Sequence, residues 1–272
     1  MTTRPHSIRR AKPVLDAIPQ VDRDYVSSLA RGLTVLHAFS EKQRRMSIAD
    51  LSYRTGISRA AVRRSLHTLA ELGYVVADES RRYYLRPKVL SLGYTFLTST
   101  PLVLLAQSVL DRLSHDVNES CSLAVLDGEE IVYLARSTSS KIMSVILNVG
   151  RRLPAYCTSI GQVLLANLDD GALERYLSMV KLFAFTERTV STTDKLRQIL
   201  AAVRKADFAV VDRQMETRLV TIGVPVRDKS GSVVAGMNVI VPYWRIPVRE
   251  MASRFLHPLQ NAASDLGTLV VP

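Results

Sequence analysis

The sequence predicts an α+β protein in two parts: a small N-terminal domain of three helices and a β-hairpin, then a larger domain with a central antiparallel sheet flanked by helices. Three observations lead there. At 272 residues the chain exceeds what one hydrophobic core usually fills, which favours a small domain beside one of roughly 170 residues. The apolar pattern is helical up to residue 73 and thereafter alternates between short strands and helices. Charge is unevenly divided: residues 1–88 hold 17 Lys/Arg against 8 Asp/Glu, a balance of +9, and the rest hold 19 against 17, a balance of +2.

Residues 1–24, rich in Arg, Pro, Asp and Lys without periodicity, read as a basic mobile tail. Val26, Leu29, Leu33, Leu36 and Phe39 then recur at helical spacing and predict a helix with one apolar stripe, ended by the polar stretch 41–45. Ser47, with Asp50 three residues on, predicts the capped start of a short second helix that carries Ile48 and Leu51 and breaks at Thr55-Gly56. Ser58 caps a third helix, which turns Val62, Leu66 and Leu69 inward and stops at Gly73. Residues 74–77, a polar tip at 78–82 and residues 83–85 predict a hairpin directly after it. Together these make a winged helix-turn-helix over residues 25–87.

Val89, Leu90, Leu92, Tyr94 and Phe96 suit a linker helix over 88–100, and residues 102–117 suit the first helix of a second domain covering 101–272. In that domain strands are expected at 123–126, 131–135, 143–149, 208–211, 221–226 and 233–241. Helices are expected at 160–166, 172–179, 196–206 and 248–266.

Burying Val62, Leu66 and Leu69 leaves Arg59, Ala60, Arg63, Arg64 and His67 on the opposite face of the third helix, with no acid until Glu71. An arginine fork matches guanine O6 and N7 and also binds phosphate, while alanine leaves room for a thymine methyl. With Ser58 at the cap, this is the residue set of a DNA-reading helix. Arg44 and Arg45 before the second helix, and Arg81 and Arg82 at the hairpin tip, are placed to grip phosphates on either side. Each of these four alone is more often a plain surface charge; their value is collective. Double-stranded DNA is the expected partner. An RNA platform is disfavoured, because Tyr83 and Tyr84 alternate faces of a short hairpin.

The two cysteines, Cys121 and Cys157, lack zinc or redox spacing, so neither metal nor cofactor is expected and a reducing compartment fits. The N-terminus has no apolar segment of signal type, and no apolar run reaches the ~18 residues of a membrane span. A cytoplasmic, nucleoid-associated protein with no membrane contact follows. The rival reading is an enzyme or ligand-binding module that uses Cys157 at a helix start, with His115 or His257 as base and a non-specific nucleic-acid-binding N-terminal domain. No Gly-x-Ser-x-Gly elbow accompanies it, and catalysis is not expected.

In the second domain, residues 154–159 lead into a helix whose first turn offers free backbone N–H groups and a positive dipole end, where a carboxylate fits. Thr158 and Ser159 add hydroxyls, for which ordinary N-capping is the alternative. Asn238 is the one polar side chain in the apolar run 233–240; a buried amide needs partners, and these are either structural or a ligand.

Three stretches resemble the isocitrate-lyase-regulator (IclR) family of bacterial regulators: Ser28-Leu-Ala-Arg-Gly-Leu-Thr-Val-Leu-His-Ala-Phe39, Arg54-Thr-Gly-Ile-Ser-Arg-Ala-Ala-Val-Arg-Arg64, and Gly150-Arg-Arg-Leu-Pro-Ala-Tyr-Cys-Thr-Ser-Ile-Gly161 with residues 163–166. The similarity is strongest toward the branch controlling aromatic-acid breakdown, the β-ketoadipate (protocatechuate, 4-hydroxybenzoate) regulators, which residues 87–93 and 99–101 also resemble. The resemblance implies a GAF-like effector domain that binds a small organic acid such as protocatechuate, 4-hydroxybenzoate or β-ketoadipate. It implies a homodimer paired through the DNA-binding domains, or a dimer of dimers, and hence a palindromic operator. It also implies that Thr158, Ser159, Ile160, Thr221 and Asn238 line the effector pocket. The sequence departs from the family where members commonly carry an acid, at Gln214, and a glycine, at Arg218. Arg218 is thereby either a carboxylate clamp for a different effector or a surface charge.

Overall fold

The computed structural model describes residues 24–40, 43–139 and 148–270. The basic tail therefore lies outside the described residues, as does the expected strand 143–149 up to residue 147. The chain divides into two compact units between Thr95 and Phe96.

The first unit holds α1 (Ser27–His37), α2 (Ile48–Thr55), α3 (Arg59–Glu71) and a hairpin of β1 (Val75–Ala77) and β2 (Tyr83–Leu85). The local chemistry of α2 is complete: Ser47 Oγ accepts from Asp50 N while Asp50 Oδ2 accepts from Ser47 N, a reciprocal capping box. Gly56 ends the helix at φ 73°, a left-handed position that costs glycine nothing. Val35, Leu51, Val62 and Leu66, all fully buried, form the centre of the core, and Val75 and Met46 close it. Backbone hydrogen bonds between Met46 and Tyr83 tie the hairpin to the residues ahead of α2.

The expected stripe of α1 is not the buried one. Val26 and Leu29 stay about 60% exposed (59% and 62%) and Leu33 is exposed too, whereas Val35 and Ala38 are buried and Leu36 and Phe39 pack at the margin. α1 packs mainly on α3, and Val35 is the residue it buries. The larger apolar edge is left outside.

A 3-10 turn (Pro87–Leu90) and α4 (Ser91–Ser99) follow, with Leu90, Leu92, Tyr94 and Phe96 exposed. The second unit continues with α5 (Pro101–Val117), β3 (Ser120–Asp127), β4 (Glu130–Ser137), β5 (Arg152–Pro154), α6 (Ser159–Ala166), α7 (Asp170–Met179), α8 (Thr193–Ala206), β6 (Ala209–Asp212), β7 (Leu219–Arg227), β8 (Val233–Pro242) and α9 (Met251–Leu269). The strands form one antiparallel sheet in the order β5-β4-β3-β8-β7-β6. Only β5 among these was not anticipated, because three residues are too few to show a period.

Period-2 alternation separates the two faces of this sheet. Cys121, Leu123, Ile222, Val224, Met237 and Val239 pack against α5 and α9. Ala124, Tyr133 and Ile240 face the other way, into the cluster built by α6, α7 and α8. Two glycines let α6 lie directly on that face. A Cβ on Gly223 would stand 2.9 Å from the Ser159 carbonyl carbon, and one on Gly236 would stand 2.7 Å from Ile160 Cγ2. The N-terminal turn of α6 is thus pressed onto the centre of the sheet, beside Asn238.

Candidate nucleic-acid interface and effector cavity

Every residue expected to read or grip DNA is exposed on the first unit: Ser58, Arg59, Ala60, Arg63, Arg64 and His67 around α3, Arg44 and Arg45 before α2, and Arg81 and Arg82 at the wing. Among the described residues Arg59, Arg63, Arg64 and Arg81 make no ion pair. The Ser58 hydroxyl is taken up by capping, accepting from Ala61 N at 3.4 Å. Arg45 is also engaged: its Nη1 donates to Asp78 Oδ2 at 2.8 Å and its guanidinium lies 4.9 Å from the centre of the Tyr84 ring. Asp78 Oδ1 accepts from Ser80 N and Arg82 N, and these bonds, the one from Arg82 foremost, hold its carboxyl below the usual range. Arg81 sits at φ 55°, so the wing tip turns on a non-glycine residue in left-handed geometry.

In the second unit, Thr158 and Ser159 have different fates. Thr158 Oγ1 accepts from Gly161 N at 3.1 Å and lies 3.2 Å from Ala155 O, so it is the N-cap of α6. Ser159 Oγ is buried and has no partner among the described residues. Asn238 Oδ1 and Gln214 Oε1 are likewise buried and unpartnered. These three atoms belong to side chains that line one cavity of about 60 Å³, with Tyr133, Leu153, Cys157, Thr158, Val211, Met215, Glu216, Leu219, Thr221 and Ile240 around them. A native fold leaves few buried polar atoms unpaired, so three on one cavity wall mark it as built for a polar occupant.

Of the expected effector residues, the structure brings together Thr158, Ser159, Thr221 and Asn238. It does not bring Ile160 or Arg218 to the wall. Ile160 is fully buried beneath, filling the space over Gly236. Arg218 is exposed, with its Nε 3.2 Å from Oε1 of Glu216, a lining residue. Tyr133, Leu153, Met215 and Leu219 were not foreseen. Tyr133 is the inward member of an alternating strand, and that alternation was its only signal.

Cys157 is not set up as a nucleophile. Burial pushes its thiol up to about 12, and its Sγ lies 3.6 Å from Met215 Sδ and 3.7 Å from Pro154 O. His115 pairs with Asp116 and His257 with Asn261, so neither addresses the thiol.

Two family models match: the IclR helix-turn-helix domain over residues 28–79 and the C-terminal domain of the bacterial transcriptional regulator IclR over residues 94–268. The chain belongs to the IclR family. This IclR-family regulator is 48% identical over 246 residues to the Pca regulon regulatory protein of Pseudomonas putida, covering 90% of this chain and 84% of that one. A transcriptional regulator of Rhodococcus sp. RHA1 shares its fold with a TM-score of 0.77 at 41% identity, covering 90% of this chain and 98% of that one. The inducer-binding domain of PobR from Acinetobacter, a double mutant in complex with 3-hydroxybenzoic acid, is 31% identical with a TM-score of 0.57, covering 61% of this chain and 97% of that one. The IclR-family assignment makes the first unit a DNA-binding helix-turn-helix and the protein a transcriptional regulator. No single described helix is long and apolar enough to cross a membrane.

Proposed function

We propose that this regulator controls genes of aromatic-acid breakdown and senses a small organic carboxylate in the cavity between α6 and the sheet. The observation that carries this is the pair Ser159 Oγ and Asn238 Oδ1, buried without partners on one cavity wall beside the N-terminal turn of α6. Ser159 N begins that turn and donates to no described acceptor, so it and the helix dipole suit an anion. The named relatives support the chemistry, one acting on a Pca regulon and one holding 3-hydroxybenzoic acid.

In this reading the DNA-binding domain spans residues 25–87, the linker helix 88–100 and the effector domain 101–272. Arg63 and Arg64, with Arg59, Ala60 and His67, read bases from α3. Ser58 fixes the helix start, and Arg44, Arg81 and Arg82 hold phosphates with Arg45 steadying the wing. The exposed edge of Val26, Leu29 and Leu33 pairs with a second copy, giving a two-fold dimer on a palindromic operator. The protein works in the cytoplasm at the nucleoid, and no catalysis is assigned to it.

Calorimetry with protocatechuate, 4-hydroxybenzoate, β-ketoadipate and muconate tests the cavity. At least one binds the wild type, and Asn238→Ala or Ser159→Ala removes that binding. Failure of all four, or unchanged binding in both variants, sinks the assignment.

A further inference from the structure

We infer that Gln214 determines effector specificity: its carboxamide oxygen accepts a hydrogen bond from a hydroxyl of the bound acid, so the cavity selects hydroxylated carboxylates over unsubstituted ones and over dicarboxylates. This rests on the reading of the cavity as a carboxylate site.

The cavity leaves both a donor and acceptors unsatisfied. Ser159 N at the start of α6 is a donor, and it calls for an anion. Gln214 Oε1 and Asn238 Oδ1 are acceptors, buried and unpartnered, and they call for a donor. A ligand that answers both sets has a carboxylate at one position and an O–H at another. A second carboxylate would meet two carbonyl oxygens unless both amides turned over, and a plain hydrocarbon end would leave both oxygens unpaired, a penalty at a buried site.

Gln214 is also held firmly enough to read. Its carbonyl accepts from Thr189 Oγ1 at 2.6 Å, and the neighbouring Arg213 carbonyl accepts from Thr186 Oγ1 at 2.7 Å. On the other side Arg213 N donates to Leu219 O at 3.0 Å, and the adjacent Met215 Sδ contacts Cys157 Sγ. Arg213 itself lies over the Tyr243 ring and pairs with Asp212. The connection between β6 and β7 is therefore pinned on both flanks of Gln214, which fixes the backbone from which its side chain projects. Glu216, the one charged group among the lining residues, is offset by Arg218.

The test is calorimetric titration of the full chain with 4-hydroxybenzoate, 3-hydroxybenzoate, benzoate and adipate. The wild type binds a hydroxybenzoate at least tenfold more tightly than benzoate or adipate. Gln214→Met, similar in length but without the acceptor, brings the hydroxybenzoate-to-benzoate ratio close to one while benzoate affinity holds. Gln214→Glu, which keeps an acceptor, retains the preference for the hydroxyl. Gln214→Ala serves as the second deletion variant if Gln214→Met does not fold. Should none of the four acids bind the wild type, the carboxylate reading of the cavity fails and this inference with it. Should they bind with a ratio that survives both deletions, or should adipate bind best, Gln214 is not the selector although the cavity reading stands.

Discussion

Arg45 and Asp78, 33 residues apart in sequence, meet through a 2.8 Å ion pair that joins the segment ahead of α2 to the base of the wing. The same carboxylate accepts the backbone N–H groups of Ser80 and Arg82, so one side chain fixes both the course and the anchorage of the tip. The pair is partly exposed and worth little to global stability. Its consequence is positional. Asp78→Ala removes a negative charge from a basic surface, which by Coulomb attraction alone would strengthen DNA binding; the expected result is several-fold weaker operator binding because the wing loses its shape. Fluorescence anisotropy at fixed salt decides, and tighter binding would show that the wing needs no such brace.

Substitutions on α3 and at the wing tip are expected to act differently. Arg63→Ala is expected to weaken operator binding by ~1–3 kcal/mol and to flatten the preference for the operator over unrelated DNA. Arg81→Gly should act differently: it relieves a left-handed backbone that costs an ordinary residue ~1 kcal/mol, so the wing is stabilised, while affinity falls alike on all sequences and the salt slope drops by about one. Titrations of both variants on both DNAs at several salt concentrations separate these outcomes.

How much of this was legible in the sequence depended on how local its cause is. The box of Ser47 and Asp50 involves four consecutive residues and could be read directly, and so could the cap on α3. Thr158 and Ser159 could not be told apart, because which hydroxyl caps α6 is decided by the backbone: Thr158 is extended at φ −121°, ψ 147°, and the helix starts one residue later. Gln214 was visible as a departure from the family pattern, but its place on a cavity wall is set by Thr186 and Thr189, some 25 residues earlier. The edge of α1 failed for another reason: both edges of that helix are apolar, and periodicity does not say which one meets α3.

Ser159→Ala is expected to leave the ligand-free protein as stable as before or slightly more so, since it deletes an oxygen that is buried without a partner. Ordinary core deletions go the other way, and Leu66→Ala, at a fully buried position, should cost ~2–5 kcal/mol. Denaturant unfolding of each variant checks this. A large loss from Ser159→Ala would reveal a structural partner for the hydroxyl.

The acid limb of stability should involve α2. Bonds from the backbone and side chain of Ser47 lower the Asp50 carboxyl below its ordinary value of 3.8. A group whose folded value is depressed contributes stability above its unfolded value and loses it as pH falls through the folded one. The capping box therefore works fully at neutral pH and weakens below about pH 4. Asp50→Asn should be less stable than wild type at pH 7, and the difference should shrink as pH falls below about 4, as followed by circular dichroism.

Exposed apolar residues on α1 carry the last prediction. Val26, Leu29 and Leu33 recur at three and four residues, forming one edge that no described side chain of the first unit covers, although a monomer gains nothing from placing three large aliphatics in water. A second copy meeting the same edge across a two-fold axis buries all three at once and sets the spacing of two α3 helices on DNA. Leu29→Lys puts like charges face to face at that axis while touching no core residue, so unfolding of the monomer should change by less than about 0.5 kcal/mol. Sedimentation should nonetheless show the dimer dissociating at concentrations where the wild type remains paired, and operator binding should become weaker and non-cooperative. A Leu29→Lys protein that sediments as wild type would place the interface elsewhere and leave the exposed edge of α1 without a partner.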